Sequence, residues 1–174
     1  MTVALVGLPG SGKSTVGKQL ARRLRLPFLD SDLAIEARLE CSIREYFERE
    51  GEDRFRDVEE SVLDELTQVH DGVLSTGGGS VLRAVNRSFL KDRCYVIYLK
   101  SSPDELFRRL RHDVNRPLLQ VADPLNRLRD LFAARDPLYF ETAHFVLETG
   151  RPSVSNLVKS ILTQLEATGM QPDP

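Results

Sequence analysis

The sequence has no tryptophan, two cysteines, and no hydrophobic run long enough to cross a membrane. Cys41 and Cys94 lack the spacing typical of a metal site or a disulfide framework, so we expect reduced thiols. The chain enters an apolar segment at Val3 without a charged leader, which argues against a secretion signal. We therefore expect a soluble, cytoplasmic protein that does not associate with a membrane.

An excess of charge of one sign is also missing. The 24 lysines and arginines nearly balance the 26 aspartates and glutamates, and the net charge is −2. Because the basic residues are spread along the chain, no nucleic acid is predicted as a partner. The length of 174 residues suits one core. We predict a monomer with a single domain over residues 1–168 and a flexible tail over residues 169–174.

Five short apolar segments alternate with segments of helical periodicity, and this alternation predicts an α/β fold. The predicted strands are Val3–Val6, Pro27–Leu29, Gly72–Leu74, Tyr95–Leu99 and Phe145–Leu147. Capping sequences indicate helix starts at Ser42 and Ser102, and apolar spacing indicates an amphipathic helix from Val154 to Leu165. We therefore predict a five-stranded parallel sheet with helices on both faces.

A glycine-rich loop follows the first predicted strand and matches the P-loop pattern at every fixed position: Gly7-Leu8-Pro9-Gly10-Ser11-Gly12-Lys13-Ser14. The backbone N–H groups of such a loop, together with the next helix N-terminus, bind phosphates. We expect Lys13 to contact the terminal phosphates of a nucleoside triphosphate, and the Ser14 hydroxyl to bind Mg²⁺. The fold is predicted to be that of a P-loop NTPase similar to nucleoside monophosphate kinases. The predicted nucleotide contacts are Gly10, Ser11, Gly12, Lys13, Ser14 and Thr15.

Two carboxylates follow the second predicted strand, which we expect to neighbour the first. Many P-loop ATPases hold Mg²⁺ through an aspartate at the end of another strand. Here, however, the third and fourth strands run into Ser75-Thr76 and Lys100. Asp30 and Asp32 are therefore the candidates, one to support Mg²⁺ and one to contact an acceptor hydroxyl. Alternatively, one of them caps a helix predicted over residues 33–40.

Three consecutive glycines, residues 77–79, follow the third strand at the edge where open parallel sheets bind ligands. Arg56 and Arg135 lie in helical patterns and, from periodicity alone, suit a solvated helix surface equally well. Residues 111–124 lose helical periodicity and are predicted to form a mobile lid. Arg116 in this lid is suited to neutralise charge that develops during phosphoryl transfer.

Together these motifs resemble the shikimate kinase family over nearly the whole chain. The resemblance comprises the P-loop, Asp30-Ser31-Asp32, residues 51–59, Gly77-Gly78-Gly79, Asn115-Arg116-Pro117-Leu118-Leu119 and Arg135-Asp136-Pro137-Leu138-Tyr139. It implies transfer of the γ-phosphoryl group of ATP to the 3-hydroxyl of shikimate. The product, shikimate 3-phosphate, belongs to chorismate and aromatic amino-acid biosynthesis.

The resemblance also implies roles for acceptor-site residues. Asp32 is expected to bind the reacting hydroxyl and act as the base, and Asp30 to support Mg²⁺ through water. Arg56 and Arg135 are expected to bind the shikimate carboxylate, because each guanidinium can donate two parallel hydrogen bonds. The glycines of residues 77–79 are expected to shape the same pocket.

Nucleotide contacts follow from the same resemblance. Arg116 is expected on the transferred phosphate and Arg109 against the adenine ring. Arg151 is expected to contact the adenine as well, although this chain has Pro152 where similar enzymes can carry arginine. Lys13, Asp32 and Arg116 are thus the predicted catalytic residues.

Two other functions are consistent with a P-loop. A kinase for gluconate or a nucleoside monophosphate shares the phosphate loop, but Arg56, residues 77–79 and Arg135 favour a shikimate pocket. A nucleobase acceptor favours aromatic stacking, whereas the chain has few aromatics beyond core-like phenylalanines. A nucleotide-gated regulatory NTPase is the third candidate. The sequence has no Asn-Lys-X-Asp run, which argues against a GTP switch but not against an ATP-driven one.

Overall fold

The computed structural model describes residues 1–111, 121–150 and 153–170. Its five strands are β1 (Thr2–Val6), β2 (Phe28–Asp30), β3 (Gly72–Ser75), β4 (Tyr95–Lys100) and β5 (Phe145–Glu148). They form one sheet in the order β2-β3-β1-β4-β5, and every neighbouring pair is parallel. The predicted five-stranded parallel sheet is confirmed.

Helices connect successive strands, as parallel pairing requires. In the described parts of the chain they are α1 (Lys13–Leu24), α2 (Ser31–Leu39), α3 (Ile43–Glu50), α4 (Glu52–Leu66), α5 (Ala84–Arg93), α6 (Pro103–Leu110), α7 (Pro124–Thr142) and α8 (Val154–Ala167). None of these helices has the length and apolar composition needed to cross a membrane.

The sheet is covered on both faces, which accounts for the four apolar residues that follow Thr2 in β1. Val3 and Leu5 are fully buried in a core cluster shared with α1 and α8. The intervening Ala4 and Val6 are fully buried in a second cluster, which includes residues of α4, α5, α6 and α7. Successive side chains of a strand point to opposite faces, so a strand covered on both faces is apolar at most of its positions.

The position of β2 differs from the expectation that it neighbours β1. Strand β3 lies between them and pairs with both, with Leu74 opposite Ala4 of β1 and Leu29 of β2. The three residues of β2 are only partly buried, whereas all four residues of β3 are buried. The more apolar strand thus occupies the inner position, where both of its faces are covered.

Side-chain caps begin several helices where the sequence predicts them. The Ser42 and Ser102 hydroxyls accept hydrogen bonds from the backbone N–H groups of Glu45 and Glu105. Helix α2 begins two residues before the predicted start, because the Asp30 carboxylate accepts from the Asp32 and Leu33 N–H groups. One of the two carboxylates after β2 is therefore a helix cap, as the alternative interpretation stated.

Parallel pairing of β2, β3 and β1 brings their carboxyl ends to one edge of the sheet. The P-loop, the Asp30–Asp32 segment and the glycines after β3 all begin at this edge. The carboxyl edge of an open parallel sheet is where such folds bind ligands. The topology therefore brings together three motifs that are up to about 70 residues apart in the chain.

Candidate active site

The P-loop between β1 and α1 owes its shape to glycines. Gly10 and Gly12 have φ angles of 84° and 96°, in the left-handed region that side-chain-bearing residues rarely adopt. Gly12 precedes the first residue of α1, so the helix N-terminus and its N–H groups face the loop. The Lys13 Nζ atom donates to the carbonyls of Gly7 and Leu8 at 2.7 and 2.9 Å. The lysine ammonium is thus held directly above the loop.

Three side-chain oxygens converge beside the P-loop. The Ser14 Oγ atom lies 3.4 Å from Asp30 Oδ2 and 3.5 Å from Ser75 Oγ. The second oxygen of Asp30 caps α2, so this residue both orients the helix and presents an oxygen to Ser14. The described residues contain no group of three or more His, Cys, Asp or Glu side chains that could bind a metal. One carboxylate and two hydroxyls fit Mg²⁺, which keeps several waters and takes phosphate oxygens as its other ligands.

Two cavities open at this edge of the sheet. The first, about 430 Å³ in volume, is lined by the P-loop, Asp30 and the end of β3. The second, about 230 Å³, is lined by Arg56, Arg135 and residues of α3 and α4. The cavities have four lining residues in common: Pro9, Asp32, Gly77 and Gly78. A phosphate in the first cavity and a small acceptor in the second would therefore meet next to Asp32.

The electrostatic environment of Asp32 suits a proton acceptor. Burial and the neighbouring Asp30 carboxylate raise the pKa of Asp32 above its ordinary value of 3.8, while Lys13 and Arg56 oppose the shift. A carboxylate with a raised pKa accepts a proton more readily than one in water.

The three consecutive glycines leave space for the side chains of other site residues. A Cβ on Gly77 would lie 2.6 Å from Asp32 Oδ1, and one on Gly79 would lie 2.4 Å from Arg56 Nη1. A Cβ on Gly78 would lie 2.7 Å from Pro9 Cδ and 3.4 Å from Arg135 Nη1. Since none of the three has a positive φ, these positions need glycine for space and not for backbone conformation.

Arg56 is anchored by a carboxylate that the sequence analysis missed. Its Nη1 atom donates to Glu59 Oε1 at 2.9 Å, and the Glu59 side chain is 1% exposed. Burial raises the pKa of Glu59, and Arg56 opposes that shift. Among the described residues, the buried Arg56 Nε atom has no hydrogen-bond partner, although Glu52 lies 3.5 Å away. The i,i+3 spacing of Arg56 and Glu59 in the sequence could have indicated this ion pair, but such pairs are common on exposed helices.

The second cavity has an apolar wall, which corrects one argument made from composition. Ile43, Phe47 and Phe55 line this cavity, and the two phenylalanine rings lie 5.7 Å apart with a tilt of 53°. The expectation that the phenylalanines are core-like holds for Phe55, which is 5% exposed and belongs to a core cluster, and is wrong for Phe47, which is 37% exposed. Their apolar positions in α3 and α4 have the spacing of core residues, and only the tertiary packing opens a cavity beside them.

The structure describes one of the three arginines predicted to contact the nucleotide. Arg109 donates to Glu105 at 2.7 Å and lies 3.5 Å from the Gly10 carbonyl of the P-loop. It also lies 3.4 Å from the Thr149 carbonyl, just after β5. Arg116 and Arg151, together with most of the predicted lid, lie outside the described residues.

Comparisons with known proteins place the chain in a family. A family model described as shikimate kinase matches residues 9–166. The chain belongs to the shikimate kinase family. A shikimate kinase from Paracidovorax citrulli is 57% identical over 99% of this chain and 96% of its own sequence. Another, from Ralstonia nicotianae, is 55% identical over 99% of this chain and 90% of its own.

A solved structure supports the same assignment. Shikimate kinase from Acinetobacter baumannii in complex with shikimate is 45% identical and matches with a TM-score of 0.91. The match covers 98% of this chain and 95% of that one. The predicted family and fold class are thus confirmed, and as a member of the shikimate kinase family this protein is a kinase.

Replacing Gly79 by alanine tests whether the glycines make room for the arginines. We expect Gly79→Ala to displace the Arg56 guanidinium and to weaken shikimate binding roughly tenfold or more, with ATP affinity within about twofold of the wild type. Isothermal titration with each ligand measures both affinities. Gly150→Ala is the control, since within the described parts of the chain the nearest atom to its added Cβ is Glu105 Oε1, 4.0 Å away. Equal shikimate affinity in Gly79→Ala and the wild type would contradict this packing argument.

Proposed function

We propose that the protein uses ATP and Mg²⁺ to phosphorylate the 3-hydroxyl of shikimate, forming shikimate 3-phosphate and ADP. The observation that carries the proposal is the position of Asp32 in the wall common to two cavities. One cavity has a phosphate-binding loop, and the other has two arginines suited to a carboxylate. The most direct test is ADP release with and without shikimate, with the product identified by mass.

Asp32 is proposed to accept the proton of the acceptor hydroxyl. As that proton transfers to the carboxylate, the acceptor oxygen bonds to the γ-phosphorus and the bond to the ADP oxygen breaks. The proton is later released to solvent, which restores the carboxylate. The role requires ionised Asp32, and the nearby Lys13 and Arg56 favour this form while burial opposes it.

Charge neutralisation is proposed to come from the P-loop side of the site. Lys13 and the loop N–H groups are placed to bind the terminal phosphates. Ser14, Asp30 and Ser75 offer oxygens for Mg²⁺, which when bound supplies positive charge next to the phosphate oxygens. By the family resemblance, Arg116 is proposed to contact the transferred phosphate, and Arg109 and Arg151 to contact the adenine.

Arg56 and Arg135 are proposed to select the acceptor by its carboxylate. The Nη1 atom of Arg56 already donates to the buried Glu59 carboxylate. The other N–H groups of the Arg56 guanidinium are therefore the part available to a ligand carboxylate. A volume of about 230 Å³ suits one small ring, and Phe47 and Phe55 offer apolar contact to its carbon face. Two arginines in so small a cavity favour a carboxylic acid over a nucleobase.

A cytoplasmic location, a monomeric state, a single domain over residues 1–168, a lid over residues 111–124 and a flexible tail are all proposed on sequence grounds alone.

Replacing Asp32 by asparagine tests its role as base. We expect Asp32→Asn to bind ATP normally and to lose at least about 100-fold in kcat, because the amide cannot accept the proton. In the wild type, kcat/KM for shikimate should fall as pH falls through the raised pKa of Asp32, above 3.8. In Arg56→Ala this decline should begin at higher pH, since Arg56 lowers that pKa. Wild-type turnover by Asp32→Asn would leave this residue no role as the base.

Replacing Arg135 tests carboxylate recognition. We expect Arg135→Ala to weaken shikimate binding by roughly 30- to 150-fold, the effect of losing a charge-assisted bidentate contact of about 2 to 3 kcal/mol. Arg135→Lys should fall between alanine and wild type, because lysine restores the charge but not the planar fork. Arg129→Ala is the control, since Arg129 lies on the same helix with its side chain 53% exposed. Titrations with shikimate and with ATP are compared, and equal loss of both affinities would contradict a role in acceptor selection.

A further inference from the structure

Tyr139 has a buried hydroxyl close to the acceptor cavity. The residue is 0% exposed and lies on α7, one helical turn after Arg135. Its hydroxyl donates a 2.6 Å hydrogen bond to the carbonyl of Gly78. Residues four apart on a helix share a face, so Arg135 and Tyr139 both face the glycine segment after β3. No role follows for this tyrosine from the phosphoryl transfer described above.

The Gly78 carbonyl connects several parts of the site. Gly78 lines both cavities, and its Cα faces Pro9 of the P-loop and the Arg135 guanidinium. A hydrogen bond to its carbonyl therefore fixes the backbone segment that separates the nucleotide from the acceptor. The Tyr139 hydroxyl is the side-chain group that makes this bond.

The Tyr139 ring is itself held by the sheet. It packs on Tyr98 of β4, with ring centroids 4.9 Å apart. The Tyr98 hydroxyl donates to Asp136 Oδ1 at 2.8 Å, and Asp136 follows Arg135 in the chain. Burial raises the pKa of Tyr139 to about 12, while the adjacent Arg135 guanidinium opposes the shift. The phenol therefore remains a hydrogen-bond donor at neutral pH.

We propose that Tyr139 is a positioning residue for acceptor recognition, joining the Arg135 segment of α7 to the Gly78 carbonyl. The hydrogen bond sets the distance between the guanidinium and the glycine backbone, and so the width of the carboxylate-binding part of the cavity. The inference rests on the proposed function, in which that cavity holds the shikimate carboxylate. Tyr139 acts through Arg135 and Gly78 and is not itself a group that reacts.

Tyr139→Phe removes the hydroxyl and keeps the ring. We expect Kd and KM for shikimate to rise roughly three- to tenfold, the usual effect of losing one hydrogen bond to a carbonyl. Affinity for ATP and kcat at saturating shikimate should stay within about twofold of the wild type. Tyr95→Phe is the matched control. Tyr95 is also buried, but its hydroxyl accepts from Gln164 on α8 at 3.2 Å, on the other face of the sheet.

A double-mutant cycle distinguishes positioning from a general loss of stability. If Tyr139 acts through Arg135, Tyr139→Phe should change shikimate affinity less than about twofold in an Arg135→Ala background. If it only supports the fold, the two losses should multiply, and ATP affinity and melting temperature should fall in parallel. Titration and thermal unfolding of the four proteins supply the comparison.

The outcomes distinguish the positioning role of Tyr139 from the proposed function of the protein. Unchanged shikimate affinity in folded Tyr139→Phe, equal losses for both ligands, or multiplicative losses in the cycle would each overturn the positioning role. All of these results would leave the proposed kinase activity intact. If the wild-type protein itself neither binds shikimate nor releases ADP in its presence, the proposed function fails, and the positioning role fails with it.

Discussion

Parallel pairing of β3 with both β1 and β2 is the constraint on which the site depends. It brings the carboxyl ends of three strands to one edge, so that the P-loop, Asp30–Asp32 and the glycine segment begin side by side. Each of these loops begins where a hydrogen-bonded strand ends, so the buried strands fix the positions of the loops relative to one another. The apolar character of β1 and β3 on both faces is therefore a requirement of the active site as well as of the core.

Close packing at this edge is made possible by residues without side chains. A Cβ on each of the three glycines after β3 would lie 2.4–2.7 Å from atoms of Asp32, Pro9 and Arg56, too close for any side chain to be added without displacement. Asp32 and Arg56 thus lie close against the glycine backbone, in the wall of a cavity of about 230 Å³. A small cavity with nearby arginines favours recognition of a compact anion, since little water remains to screen the charges.

The charges of the site also constrain one another. Arg56 is paired with the almost fully buried Glu59 and also opposes the rise in the pKa of Asp32, while the Asp32 carboxylate helps to raise the pKa of Glu59. Two carboxylates with raised pKa values and two arginines leave the cavity nearly neutral. A ligand carboxylate therefore enters without strong repulsion, and the arginine donors not used by Glu59 orient it.

Local patterns in the sequence were enough to predict the strands, several helix starts and the P-loop. Apolar runs, capping serines and glycines at fixed spacing act within a few residues, so β1, Ser102 and Gly10 could be assigned without tertiary information. Asp30 was predicted to support Mg²⁺, and the alternative that one of Asp30 and Asp32 caps a helix did not say which of the two it was. Only the fold shows that the two oxygens of Asp30 face two different partners.

The tertiary structure alone decided the strand order and the partners within the acceptor cavity. Strand β3 lies between β1 and β2 because it is buried on both faces. Which strand is buried on both faces depends on the packing of the whole sheet. Local sequence patterns predict only ordinary helix, strand or core positions for Phe47, Glu59, Ser75 and Tyr139. Nothing in the neighbouring sequence of these residues indicates which groups lie across the cavity from them. The contacts of Ser75 with Ser14 and of Tyr139 with Gly78 join residues 61 positions apart in the chain, and local periodicity carries no information about such pairs.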